Sequence, residues 1–203
     1  MTRSPWPATA RYGLEPAPGT LALVHDLLNT VSAGGRRADL LADLSSAQEW
    51  ADSVAADWSA ATGSAAPRVA LDEEGRERLL EYRRSFQDAA ALGPPAAEGP
   101  RPAVVHSAEV SLDLHGDGLV VPGPRGSDTK HLASMLLITA WQSQLDDTWR
   151  RLKTCRNTEC RVAFYDRSRN NSGVWHDVKT CGNLANLRAH RARRRLADEA
   201  AQP

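Results

Sequence analysis

At 203 residues the chain has room for one domain of about 140–150 residues and a module of about 50. Its 25 Lys+Arg and 25 Asp+Glu cancel formally. It has no run of 18 apolar residues, and Met1-Thr-Arg-Ser-Pro-Trp-Pro7 lacks a signal-peptide core, so neither a membrane-spanning helix nor a secretory leader is expected and the location is read as cytoplasmic. The neutrality hides an asymmetry. Residues 150–203 hold 13 Lys+Arg and 5 Asp+Glu, whereas residues 1–149 hold 12 and 20. A basic module attached to an acidic body suggests a nucleic-acid-facing end.

The chain is divided into a flexible start (1–17), a main domain (18–149), a basic module (150–198) and a flexible tail (199–203). In the main domain Leu21, Val24, Leu27, Leu28 and Val31 recur every three to four residues, as on a core-facing helix. Asp26 and Asn29 interrupt this stripe and read as helix-end caps or exposed positions. Asp43, Ser45 or Ser46 can cap a helix carrying Trp50, Val54 and Trp58, and Asp72 can cap another through Leu79, Leu80, Tyr82 and Phe86. Ala91-Leu-Gly-Pro-Pro-Ala-Ala-Glu-Gly-Pro100 is a breaker-rich linker. Val104, Val110, Leu112, Leu114 and Leu119-Val-Val121 then alternate around His115-Gly-Asp-Gly118, a hairpin signal. A long apolar helix follows from about Asp128 through Leu132, Met135, Leu136, Ile138, Trp141 and Leu145 toward Trp149.

The basic module contains all three cysteines, at 155, 160 and 181, although none of the first 154 residues is a cysteine. With His176 they form two short-spaced pairs, Cys155/Cys160 and His176/Cys181, the arrangement that lets a knuckle and a following element converge on a tetrahedral Zn²⁺. The competing reading is three unrelated buried thiols. In a reducing compartment a metal is favoured over a disulfide, and a module of about 50 residues needs such a staple.

Cys155-x4-Cys160-x3-Phe164-Tyr165-Asp166-x-Ser168-x-Asn170, then Trp175 and Cys181-Gly182-Asn183, resembles the CGNR zinc-finger family. The resemblance implies a small C-terminal zinc module of bacterial transcription regulators that binds DNA. The family places a cysteine directly after the tryptophan, where this chain has His176, and follows the asparagine with cations, where this chain has Leu184 and Asn186. Val174 likewise replaces a basic residue before the tryptophan. Imidazole is an ordinary zinc ligand, so the site is changed and not lost, and a three-thiolate complex carries about one negative charge where four thiolates carry about two. Thr20-Leu-Ala-Leu-Val-His-Asp-Leu-Leu-Asn-Thr30, Asp39-Leu-Leu-Ala-Asp43 and Ala47-Gln-Glu-Trp50 resemble the ABATE-type domain that precedes such fingers, which is described as a stress-induced transcription regulator.

Residues 184–196 contain neither Gly nor Pro and are mostly good helix formers. On helical spacing Ala185, Ala189, Ala192 and Leu196 share one stripe, and Arg188, Arg191 and Arg195 share another beside Arg194. Together with Arg193 and Lys179 these are the candidate DNA contacts, the competing reading being a merely solvated cationic face. Catalysis is not expected. Four protein ligands close a zinc sphere, Asp166 reads as a turn residue or one that orients His176 or an arginine, and His25, His106, His115 and His131 come with no nucleophile elbow or phosphate loop.

The expected architecture is α+β: a mainly helical N-terminal domain with a β-hairpin or small antiparallel sheet, and a zinc-binding module ending in a basic helix. The expected function is a transcription regulator holding one structural Zn²⁺, with DNA as partner, a homodimer as the competent form, and a regulatory protein or small-molecule effector met by the N-terminal domain. The alternative is a zinc-stabilised adaptor that docks another protein without touching DNA. Structured RNA is a third target that the same arginines would suit.

Overall fold

The computed structural model describes residues 5–33, 37–92, 103–184, 186–187, 191 and 193–194. Two short helices come first, α1 (Pro7–Ala10) and α2 (Leu21–Leu28), and all eight residues of α2 are buried. A helix enclosed on every side belongs at the centre of a fold, and α2 is packed by α1, α4 (Glu73–Leu92) and α5 (Asp128–Leu145). Two corrections follow. Asp26 is neither a cap nor exposed but fully buried, whereas Asn29 does take the C-cap position of α2 with its side chain fully buried, and residues 6–17 are not a loose end. Trp6, Ala8 and Thr9 lie in the interior, where the Trp6 amide donates to Asp57 (2.7 Å) and the Thr9 amide to Asp26 (2.7 Å).

The outer helices form where their caps and stripes place them. In α3 (Leu44–Thr62), Asp43 accepts from the Ser46 amide at 2.9 Å, and Ala47, Trp50, Ala51, Val54 and Trp58 face inward. In α4 the Asp72 carboxylate accepts from the Gly75 amide at 2.7 Å, and Leu79, Tyr82 and Phe86 are buried. Arg83 of the same helix grips Asp39 with both guanidinium nitrogens (2.7 and 2.8 Å) and donates to Thr30 (3.0 Å), which fixes the chain leaving α2. The linker expected after α4 falls mostly on residues 93–102, outside the described residues.

The hairpin forms as expected, β1 (Val110–Leu114) pairing antiparallel with β2 (Val120–Pro124). The long helix after it differs from expectation at its end. Helix α5 stops at Leu145, a left-handed Asp147 (φ 56°) turns the chain, and Trp149–Arg151 form a single 3₁₀ turn. Trp141 and Leu145 lie on the solvent side of α5, while Leu132, Met135, Leu136 and Ile138 fill the core. A second antiparallel hairpin, β3 (Leu152–Thr154) with β4 (Ala163–Tyr165), then returns to the centre, where Trp149, Leu152 and Ala163 join the main hydrophobic core. The described residues are thus about half helical with two small antiparallel sheets, the α+β architecture expected. No helix among the described residues is long and apolar enough to cross a membrane.

Candidate metal centre

The turn between β3 and β4 is a knuckle built around two cysteines. The Cys155 amide donates to the Val162 carbonyl (2.8 Å) and the Cys160 amide to that of Asn157 (2.8 Å), while Arg161 adopts a left-handed conformation (φ 57°) that closes the turn. Opposite it, the Arg156 amide donates to the Val174 carbonyl (2.9 Å), bringing Trp175-His176 alongside the knuckle. A π-helical turn, Val178–Gly182, capped by the Asp177 carboxylate on the Lys179 amide (2.8 Å), presents Cys181 from the third side. Gly182 lets the turn pack closely, since a Cβ there would come within 3.2 Å of both the Trp175 ring and Val178 and would push them aside by a few tenths of an ångström.

These elements bring the ligand atoms of Cys155, Cys160, His176 and Cys181 within 4.8 Å of one another. The Cys160 sulfur lies 3.3 Å from Nδ1 of His176. Tetrahedral Zn²⁺ with bonds of about 2.3 Å to sulfur and 2.0–2.1 Å to nitrogen needs ligand separations of about 3.5–3.8 Å. The four donors therefore fit one zinc ion, and the cluster is positioned to bind it. The three cysteines are buried and unbridged. The Cys160 thiol hydrogen-bonds to Cys155, which draws the Cys155 thiol well down against the effect of burial, with His176 adding to the pull; the same bond, helped by burial, holds Cys160 up. Crowded thiols that share a proton mark a place where a cation would replace it.

The surroundings of the cluster were not visible in the ligand spacing. Asn157 donates its amide to the Cys181 sulfur at 3.6 Å, which disperses thiolate charge. Ala33 and Val162 pack against the three cysteines, with Tyr12, Leu14 and Trp175 at their edge. The Tyr12 hydroxyl donates to the Val31 carbonyl (2.6 Å) and accepts from the Ala33 amide (3.2 Å), so the segment after α2 is held over the sulfur atoms by an N-terminal residue. Asp166 does not orient His176. Its carboxylate accepts from Lys153 Nζ (2.7 Å) and the amides of Ser168 (2.9 Å) and Gly173 (2.7 Å). Burial alone would raise its pKa, but these donors together hold it well below the usual carboxylate range. Gly173 must lack a Cβ, which would meet the Asp166 carboxylate at 2.9 Å.

Strand β4 is anchored by α2. Asn29 pairs with both backbone groups of Ala163, accepting from its N–H (2.9 Å) and donating to its carbonyl (3.1 Å). His25 adds a second donor to that carbonyl through Nε2 (3.0 Å), while its Nδ1 accepts from the Ala17 amide (3.1 Å). The ring is thus held as the neutral Nε2–H tautomer. Burial lowers the His25 pKa to about 4 and raises that of Asp26, beside it, to about 6. The signs oppose. His25 contributes stability above the ordinary imidazole pKa that is lost as pH falls toward 4, whereas Asp26 contributes stability at low pH that is lost as pH rises through 6. His25→Gln is therefore expected to gain, and Asp26→Asn to lose, melting temperature relative to wild type as pH is lowered from 7 to 4; parallel melting curves for all three proteins would refute the assignment.

Of the residues expected to contact DNA, Lys179, Arg191, Arg193 and Arg194 are exposed. The chain continues helically past Cys181 at 183–184, 186–187, 191 and 193–194. Arg188 and Arg195, and the Ala185, Ala189, Ala192 and Leu196 stripe, lie outside the described residues. Leu184 and Leu187 are also exposed. No curated protein matches the chain. Residues 151–194, a span that contains all four ligands, match the family model of the CGNR zinc finger, and the chain carries a zinc-finger module of that type.

Proposed function

We propose that the chain is a DNA-binding transcription regulator in which one structural zinc seats the helical segment after Cys181, whose arginines contact the phosphate backbone. What carries this reading is the exposure of Lys179, between the last two zinc ligands, and of Arg191, Arg193 and Arg194 after them, in a stretch (150–203) with 13 basic and 5 acidic residues. Four closed ligands leave no coordination position for a substrate, which favours a structural over a catalytic ion. Residues 18–149 are read as an ABATE-type domain that senses a partner or a small effector. If Arg188, Arg191, Arg194 and Arg195 each neutralise a phosphate, log affinity falls with a slope of about −3.6 per log salt, and two modules acting together would double it. Genomic fragments titrated at two salt concentrations should bind the wild type with that dependence and should not bind the variant with all four arginines changed to Ala, each protein retaining about one zinc. Equal binding by both proteins would end the proposal.

A second reading is a protein-docking finger without DNA contact. Leu184, which with Asn186 stands where the family resemblance implies cations, and Leu187 are 39% and 45% exposed just after the zinc turn. A zinc-loaded wild type that fails to bind any fragment at low salt would favour this reading.

A further inference from the structure

We propose that the β1 edge is a self-association surface, on which β1 of one chain pairs antiparallel with β1 of a second copy to build a four-stranded sheet across a two-fold axis. The proposal does not depend on what the zinc module binds.

The hairpin ladder decides which edge is open. Leu114 faces Val120, Leu112 faces Pro122 and Val110 faces Pro124, and in the same register the His115 amide donates to the Leu119 carbonyl (2.8 Å). Antiparallel ladders alternate, so the hydrogen-bonded pairs are Asp113/Val121 and Ser111/Gly123. The N–H and C=O groups of Val110, Leu112 and Leu114 therefore point away from β2. On the far side of β2 the corresponding residues are Val120, Pro122 and Pro124, and two of these three have no N–H to offer. That edge is blunted and lies along α5. The β1 edge has neither proline nor lysine, the usual protections of an exposed strand, and carries no further strand among the described residues.

The same pleat places the side chains. Val110, Leu112, Leu114, Val120, Pro122 and Pro124 share one face, and the first four are 47%, 66%, 74% and 54% exposed. This face continues across a cavity of about 510 Å³ to Trp141 and Leu145 on α5, themselves exposed. A contiguous apolar patch next to an unpaired strand marks an association site, and an isolated two-stranded hairpin is marginal without more strands or cover.

The strand's own pattern names a second copy as the occupant. Outward-facing backbone groups on residues 110, 112 and 114 allow a two-fold axis at Leu112. That register sets Leu112 opposite its counterpart, Val110 opposite Leu114, and Ser111 opposite Asp113. Apolar side chains then meet on one face, and on the other each Asp113 faces a hydroxyl and not a second carboxylate.

Sedimentation velocity on the full, zinc-loaded chain up to roughly 100 µM should show a dimer. Leu112→Lys, at a position already exposed, should weaken association at least tenfold, while Ala56→Lys on the exposed side of α3 should not. The two-fold register is tested separately by cysteine pairing. In this register Leu112→Cys brings two thiols together at a Cα separation of about 5.5 Å, so diamide should cross-link that variant rapidly and leave Asp113→Cys largely uncross-linked. A wild type that stays monomeric, a Leu112→Lys protein that dimerises unchanged, or cross-linking through position 113 in preference to 112 would each overturn the proposal. If Leu112→Lys fails to fold, the cysteine pair decides alone.

Discussion

Replacing Cys181 with Ser is expected to empty the zinc site and to disorder the turn that follows it. Structural Zn²⁺ in small finger modules contributes on the order of 10–16 kcal/mol of binding free energy at neutral pH, far more than the small core made by Ala33, Val162 and the three cysteines can supply by burial. Elemental analysis should find about one zinc per wild-type chain and almost none in Cys181→Ser. The effect should be graded by distance from the ion. Asn157→Ala removes only the amide that donates to the Cys181 sulfur and should weaken zinc affinity about 10–100-fold, with the site still filling at excess metal. Zinc retained in full by Cys181→Ser would mean that the fourth ligand has been misassigned.

The second large effect is expected far from the ligands in sequence. Asn29→Ala leaves the Ala163 N–H buried without its partner, while the Ala163 carbonyl keeps His25. A stranded buried donor costs about 1–3 kcal/mol and the vacated side-chain volume adds to it, so a loss of about 3 kcal/mol is expected, or a melting temperature lower by about 6–12 °C. Because β4 begins three residues after Cys160, the same variant should bind zinc more weakly. Adding His25→Ala should cost more than the sum of the two single changes, because only the double variant leaves the Ala163 carbonyl with neither of its side-chain donors. A melting temperature within 1–2 °C of wild type for Asn29→Ala would show that the α2–β4 contact does not hold the module in place.

The contrast between these two sites shows what was legible in the sequence. The four ligands could be read because metal geometry imposes short spacings within each ligand pair, and the structure brings together the four residues expected. The helices carrying Trp50 and Leu79 and the hairpin around Asp117-Gly118 were readable for the same reason, since caps, stripes and turn residues act over a few positions. Asn29 and Ala163 are 134 residues apart, and nothing local distinguishes an asparagine that also pairs with a distant strand from one that only caps a helix. Asp26 misled in the same way, since its partners are the Thr9 amide and the Trp50 indole (2.9 Å). Periodicity also overstated burial. Trp141 and Leu145 keep step with the core residues of α5, yet they face outward beside the hairpin, whose apolar side chains are exposed as well. Tyr12, Leu14 and Ala33 gave no sequence signal of their place over the cysteines, because covering a site requires only a fitting shape.

The measurement that tests the central claim most directly is X-ray absorption at the zinc edge on purified protein, with wild type compared with His176→Ala. The wild type should show about three sulfur neighbours at about 2.3 Å and one nitrogen at about 2.0–2.1 Å, with the nitrogen replaced or lost in the variant. An ion held mainly by oxygen, a sphere unchanged by His176→Ala, or no zinc in the wild type would contradict a structural site formed by Cys155, Cys160, His176 and Cys181.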